Sequence, residues 1–387
     1  MIISDIKTVI VNAEMRNWIF VKVETDEGII GWGEASVEWK TRSAVGGIED
    51  LKPFILGLDP TNIEHLYQVM TRHPFFRGGI EQFSAISGIE MACWDIFGKS
   101  LNLPVYKLLG GKVRQKIRMY DHLGGGNMDS LYNSIHDAGS MAEKAIRSKE
   151  AGFTALKVLV VPRSEPLEGS KVLNHAANLM GAIRHAVGDD MDIMVDFHGR
   201  TTPDMAIQYA KVLAPYRPFF LEEPCLPENV LGMVKVSKAV DIPIATGERL
   251  NTRFQFRELL EKGACAIVQP DICHCGGLWE ARKIAALAET YYVGVAPHNP
   301  MGPIATAAAI HFAVSTPNWL IQESITSDVP WRYDVIENPV IVHNGYVNPI
   351  ERPGLGVEVN EAEAAKHPFK QEVLARYWHE DGAVADW

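Results

Sequence analysis

Six titratable residues, Asp196, Glu222, Glu248, Asp271, His298 and Glu323, recur at intervals of 23 to 27 residues, each at the end of a short apolar run. That interval is close to one strand–helix unit, so six successive strands deliver an ionisable group to the same end of the fold. Gathering so many carboxylates in one place is prohibitive unless cations or hydrogen bonds compensate them. Asp196, Glu222 and Glu248 come from three neighbouring strands with no matching set of Lys or Arg. Three convergent carboxylates call for a hard divalent cation, and oxygen ligands favour Mg²⁺, which keeps positions open for water and substrate oxygens. The bland alternative is a salt-bridged rim with Arg249 as partner. Glu223 competes with Glu222, but alternating side chains allow only one of the two to point inward, and the regular spacing selects Glu222.

His298 lies one strand beyond Asp271, which suggests a carboxylate–imidazole dyad. The carboxylate would orient the ring and raise its pKa, as suits a general base. His198, two residues past Asp196, is expected on the same face and in the same cavity. Lys157 ends another strand and reads either as a contact for a substrate carboxylate or as an ordinary rim lysine. Cys273-His274-Cys275 has a zinc-like look but no second ligand pair elsewhere in the chain. Glu34, in Gly31-Trp32-Gly33-Glu34, reads as a residue of a domain interface.

The elements that must position these groups fall into two patterns. Up to about residue 115, strand-like runs Ile3–Val11, Trp18–Glu24 and Ile29–Glu34 precede helical stretches such as Ser84–Leu101. Strands first and helices after make an α+β domain. From residue 116 to about 330, eight buried-looking strands alternate with amphipathic helices. The strands are Ile117–Asp121, Thr154–Val158, Ile193–Phe197, Phe219–Glu223, Ile242–Gly247, Ala266–Pro270, Val293–Pro297 and Leu320–Glu323. Eight such units predict a (β/α)₈ TIM-type barrel with its site at the C-terminal mouth. A doubly wound sheet is the competitor, but Gly124-Gly125-Gly126 after the first strand lacks the phosphate-loop spacing. Residues 331–387 carry no repeat and are expected to pack on the N-terminal domain, completing it as a cap.

Composition sets outer limits. A net charge of −11 argues against nucleic acid, which needs clustered Lys and Arg, but leaves room for a small anionic substrate. Five scattered cysteines and a start without a basic-then-apolar leader predict reduced thiols and a cytoplasmic protein. No apolar run reaches the length of a membrane span. The apolar helices favour a homo-oligomer.

Several longer motifs carry a resemblance. They are Phe20-Val21-Lys22-Val23-Glu24-Thr25-Asp26-Glu27-Gly28, Gly31-Trp32-Gly33-Glu34, Tyr106-Lys107-Leu108-Leu109-Gly110-Gly111 and Asp196-Phe197-His198-Gly199-Arg200. Glu222-Glu223-Pro224, Gly247-Glu248-Arg249, Gln269-Pro270-Asp271, Ala296-Pro297-His298 and Trp378-His379-Glu380-Asp381 continue the series. In these the chain resembles the enolase superfamily, mandelate-racemase-like subgroup, along nearly its whole length. The resemblance implies an α+β cap over a barrel, Mg²⁺ on Asp196, Glu222 and Glu248, and His298 with Asp271 taking a proton beside a carboxylate. It also implies His198 as the acid that releases the 3-hydroxyl and a protonated Glu323 bonding the substrate carboxylate. The expected activity is dehydration of a sugar acid, D-galactonate foremost, to a 2-keto-3-deoxy acid. An epimerase or lactone cycloisomerase with the same machinery, and a catalytically silent barrel, are the alternatives. Leu159 stands where racemases of the group carry a second catalytic lysine, which speaks against two-sided racemisation. Asn12–Asn17, Glu38–Arg42 and Val160–Pro166 depart from the expected dehydratase sequence and bear on substrate choice.

Overall fold

The computed structural model describes residues 1–123, 137–325, 328–372 and 376–386; the Gly124–Gly126 stretch lies outside them. The chain opens with an antiparallel meander of β1 (Ile3–Ala13), β2 (Arg16–Thr25) and β3 (Ile30–Glu34). Three helices pack on it: α1 (Thr41–Ile55), α2 (Ile63–Arg72) and α3 (Ile80–Leu101). The glycines of β3 are explained by α3. A Cβ at Gly33 would stand 1.9 Å from the Gly88 carbonyl oxygen, so sheet and helix backbones meet only because both positions are bare.

Eight parallel strands follow: β4 (Ile117–His122), β5 (Ala155–Val158), β6 (Asp192–Asp196), β7 (Leu221–Glu222), β8 (Ile244–Thr246), β9 (Ile267–Val268), β10 (Gly294–Val295) and β11 (Gln322–Ser324). β4 pairs with both β5 and β11, and Val295 exchanges hydrogen bonds with the run into β11 (Val295 N to Asn318 O 3.0 Å, Leu320 N to Val295 O 2.8 Å). The sheet therefore closes on itself as a TIM-type barrel. Apart from β4, one residue longer than its run, and β6, equal to it, the strands are shorter than the apolar runs that announce them, because hydrogen-bonded pairing covers only the waist of the barrel. Beyond the pairing, each run bends into the mouth.

One inward residue from each strand or its flank fills the barrel: Tyr120, Ala155, Met194, Phe220, Ala245, Ile267, Ala296 and Ile321. Bulky and small side chains share this layer, which makes it a packed plug. The tail does more than cover the cap. Tyr346–Val347 adds antiparallel to the start of β4, while Asn12 N reaches the His367 carbonyl and Asn17 N the Glu372 carboxylate. It thus ties cap to barrel. Among the described residues, no helix is long and apolar enough to cross a membrane.

Candidate active site

The layer above the plug follows from strand geometry alone. Residues two apart on a strand share a face, so each plug residue is followed, two positions on, by another inward side chain. Reading round the barrel these are His122, Lys157, Asp196, Glu222, Gly247, Gln269, His298 and Glu323. Glu248 takes its place one residue later. Gly247 has φ +136°, and a Cβ there would stand 2.6 Å from the Phe256 ring, so a bare left-handed position is required to turn Glu248 inward.

Asp196, Glu222 and Glu248 each bring one carboxylate oxygen within 4.8 Å of the others. Lys157 Nζ lies 2.5 Å from Glu222 Oε1, 2.8 Å from Glu323 Oε1 and 3.3 Å from Asp196 Oδ2. One ammonium cannot balance three carboxylates. Burial and the charges of Asp196, Glu323 and Glu248 push Glu222 well above the usual carboxylate range despite Lys157. Burial works against charge on Lys157 itself, yet Glu222 and Glu323 hold it firmly protonated. Among the described residues, Glu222 Oε2 and Glu248 Oε2 are buried without a hydrogen-bond partner. Orphaned carboxyl oxygens around one point fit a divalent cation, which would favour their ionised form. Arg249 compensates them only in part. Its Nε lies 3.6 Å from Glu223 Oε2 and 3.8 Å from Glu248 Oε1, and its Nη2 donates to the His198 carbonyl at 2.6 Å. Glu223 turns away from the triad, its Oε1 accepting from Thr246 Oγ1 and the Gly247 amide.

Two imidazoles face each other across this layer. His298 Nδ1 is 2.8 Å from Asp271 Oδ2, leaving Nε2 toward the cavity, 3.7 Å from Glu248 Oε2. Burial alone would lower its pKa. Glu248, the Asp271 hydrogen bond and Glu323 outweigh that and carry it to about 10. On the other side, His198 Nε2 lies 3.3 Å from Asp196 Oδ2, and Arg200 donates to Nδ1 at 3.1 Å. A donor on Nδ1 puts the proton of the neutral ring on Nε2. His198 reaches the cavity by a route other than strand alternation. β6 ends at Asp196, and a left-handed backbone at His198 (φ 51°) folds the ring back over the carboxylate.

Glu323 accepts from the Asn299 amide at 2.7 Å. Burial would raise its pKa, but Lys157, His298 and His122 bring it to about 2. It stands here as a carboxylate rather than the protonated donor expected of it, and Lys157 is the donor at that position. Sequence reasoning passed over His122, whose pKa burial and Lys157 lower to about 3. Placing the end of the first strand at Asp121 hid it; the two-residue step from Tyr120 would have found it. His274 belongs to the dyad's surroundings rather than to a zinc site. Its Nε2 is 3.6 Å from Asp271 Oδ2 and its Nδ1 2.9 Å from Ser84 Oγ of the cap. Cys273 and Cys275 are buried, with thiols raised far above the usual range by burial.

From the cap, Arg16 and Glu38 also reach the mouth. Together with Lys157, Asp196, His198, Glu248, His298 and Glu323 they line a chamber of about 60 Å³. A larger one of about 380 Å³ adjoins it, sharing Glu38, Glu248 and His298.

Residues 140–363 match the family described as enolase C-terminal domain-like, and residues 3–110 match the mandelate racemase / muconate lactonizing enzyme N-terminal domain. The chain belongs to this enolase-superfamily group. It is 40% identical over 379 residues to a D-galactonate dehydratase of Cronobacter sakazakii (strain ATCC BAA-894), covering 96% of both chains. Its fold overlays a mandelate racemase/muconate lactonizing enzyme-like protein from Roseovarius sp. TM1035 with a TM-score of 0.91, at 37% identity over 100% of both chains. A mandelate racemase/muconate lactonizing enzyme from Sulfitobacter sp. gives 0.91 at 36% identity, again over 100% of both. The cap-and-barrel architecture is thus shared across the group.

Proposed function

We propose that the protein is a Mg²⁺-dependent sugar-acid dehydratase acting on D-galactonate or a close aldonate. The observation that carries this is the facing pair of imidazoles, His298 with Asp271 on its Nδ1 and His198 with Arg200 on its Nδ1 and Asp196 against its Nε2, on either side of an only partly compensated carboxylate triad. The likeness to a D-galactonate dehydratase supports the substrate class.

Asp196, Glu222 and Glu248 would hold the cation. When bound, it supplies positive charge at the substrate carboxylate and offsets the Glu248 charge that holds His298 so basic. Lys157 donates to the same carboxylate. His298 Nε2 takes the proton from C2, with Asp271 fixing the ring through Nδ1. His198 enters the step as the imidazolium and gives its Nε2 proton to the 3-hydroxyl as the C3–O bond breaks, becoming a neutral ring, so water leaves with both of its hydrogens. The electron pair from the C2–H bond becomes the C2–C3 double bond, and the resulting enol ketonises to a 2-keto-3-deoxy acid. Leu159 is buried among apolar neighbours and offers no base on the other face of C2, which favours elimination over epimerisation.

The test is direct. Purified protein with Mg²⁺ and a library of aldonates should form 2-keto acid, and EDTA should stop it. Silence across the whole library, with metal demonstrably bound, sinks the proposal. Exchange of the C2 proton with solvent deuterium and no loss of water would point instead to an epimerase.

A further inference from the structure

Two charged side chains in the cavity take no part in the chemistry above. Arg16 starts β2 and is buried; Glu38 lies in the segment after β3. Arg16 Nη2 is 3.0 Å from Glu38 Oε1, and Arg16 Nη1 donates to the Pro300 carbonyl. The pair shares the small chamber with the two imidazoles and Lys157, and Glu38 stands on the boundary with the larger one. A sugar acid whose carboxylate sits by Lys157 and whose C2 and C3 sit between His298 and His198 must run its other carbons past this pair.

A guanidinium bound to a carboxylate presents spare N–H donors and a spare carboxylate acceptor at almost no net charge. Vicinal hydroxyls, which each donate and accept, match that pattern. A second carboxylate does not, because it meets Glu38 while Arg16 is already engaged.

Resting on the sugar-acid reading, we infer that Arg16 and Glu38 select a mono-acid sugar. They hold hydroxyls of the chain beyond C3 and reject the diacid of the same configuration. Glu38 is the discriminating residue, since it masks a cation that would otherwise welcome a second carboxylate.

The experiment compares D-galactonate with its C6-oxidised diacid, each as substrate and as a calorimetric ligand of the Mg²⁺-loaded protein. Wild type should favour the mono-acid at least tenfold. Glu38→Gln, which leaves the Arg16–Pro300 contact in place, should move the mono-acid to diacid ratio toward the diacid by tenfold or more. Arg16→Met should raise KM for the mono-acid more than it lowers kcat. An unmoved ratio in Glu38→Gln overturns the inference, even if Arg16→Met proves too unstable to assay. Should wild type neither dehydrate nor exchange the C2 proton of either acid, the dehydratase reading falls by itself. Binding then decides the pair's role: a wild type that binds the diacid as tightly as the mono-acid, or binds neither, overturns the inference too.

Discussion

Buried carboxylates occur in two regions of this molecule, and their surroundings differ in kind. At the cap–barrel interface, Glu34 at the end of β3 accepts from the amides of Gly302 and Ala305 (2.7 and 2.8 Å). Glu90 on α3 accepts from Leu278 and Trp279 amides and from the Trp94 indole (2.9, 2.9 and 2.7 Å). These amides open the barrel helices Pro303–Ser315 and Leu278–Glu289, whose own N-cap residues are glycines with no side chain to offer. The cap therefore supplies the caps of these two barrel helices and sets carboxyl oxygens against their N-termini. At the mouth, Glu222 and Glu248 each keep an oxygen with no hydrogen-bond partner among the described residues. Satisfied carboxylates hold domains together; unsatisfied ones await a ligand.

Substitution in each region should separate the two roles. Glu222→Gln keeps shape and loses charge. It should cut kcat/KM by about 10³-fold or more, because the metal's charge stabilisation is worth several kcal/mol, while the metal-free melting temperature stays level or rises. Steady-state kinetics with calorimetric unfolding checks both halves, and a large loss of stability without loss of activity would collapse the distinction. Glu90→Ala should do the reverse. Stranding three donors costs on the order of 3 kcal/mol, read from denaturant unfolding, with kcat of the folded fraction within a few-fold of wild type. Metal should then stabilise only through the mouth. Mg²⁺ at 100 times its Kd should add about 2.7 kcal/mol, visible as a raised melting temperature that EDTA reverses. Glu222→Gln should abolish that increment and Glu90→Ala should keep it.

Much of the mouth was legible because a βα repeat turns sequence interval into spatial neighbourhood. The eight strands and the groups they deliver emerge from periodicity; alternation admits only one of Glu222 and Glu223, and the regular interval selects Glu222. What periodicity cannot carry is a contact between segments with no repeat relating them. Arg16 meets Glu38 and Pro300 only once the cap lies on the barrel, so the sequence marked that stretch as departing from its relatives without giving it a task. Glu34 was legible as an interface residue, but not as the cap of a helix some 270 positions away. His198 was placed in the cavity for the wrong local reason, since its left-handed backbone, not strand alternation, brings it there. Glu323 was assigned a proton because charge balance at Lys157 is invisible until the two are 2.8 Å apart.

The most gradual expected effect sharpens the comparison through pH. Burial raises Glu90 to about 7 from 4.5, its three hydrogen bonds offsetting only part of the cost. The folded state therefore holds the Glu90 proton at pH values where the unfolded chain has released it. Between pH 4.5 and 7 this one group makes stability fall as pH rises, by at most about 1.4 kcal/mol per pH unit. Glu323 works in the opposite sense. Its carboxyl, held at about 2 by Lys157 despite burial, contributes stability that is present above pH 4.5 and lost as pH falls toward 2. Glu90→Gln cannot titrate. It should lower stability at every pH yet flatten the decline between pH 4.5 and 7, measured as unfolding free energy in metal-free buffer across that window. An unchanged slope would mean that Glu90 stays ionised in the folded protein, its charge fully balanced by the helix N-terminus it caps.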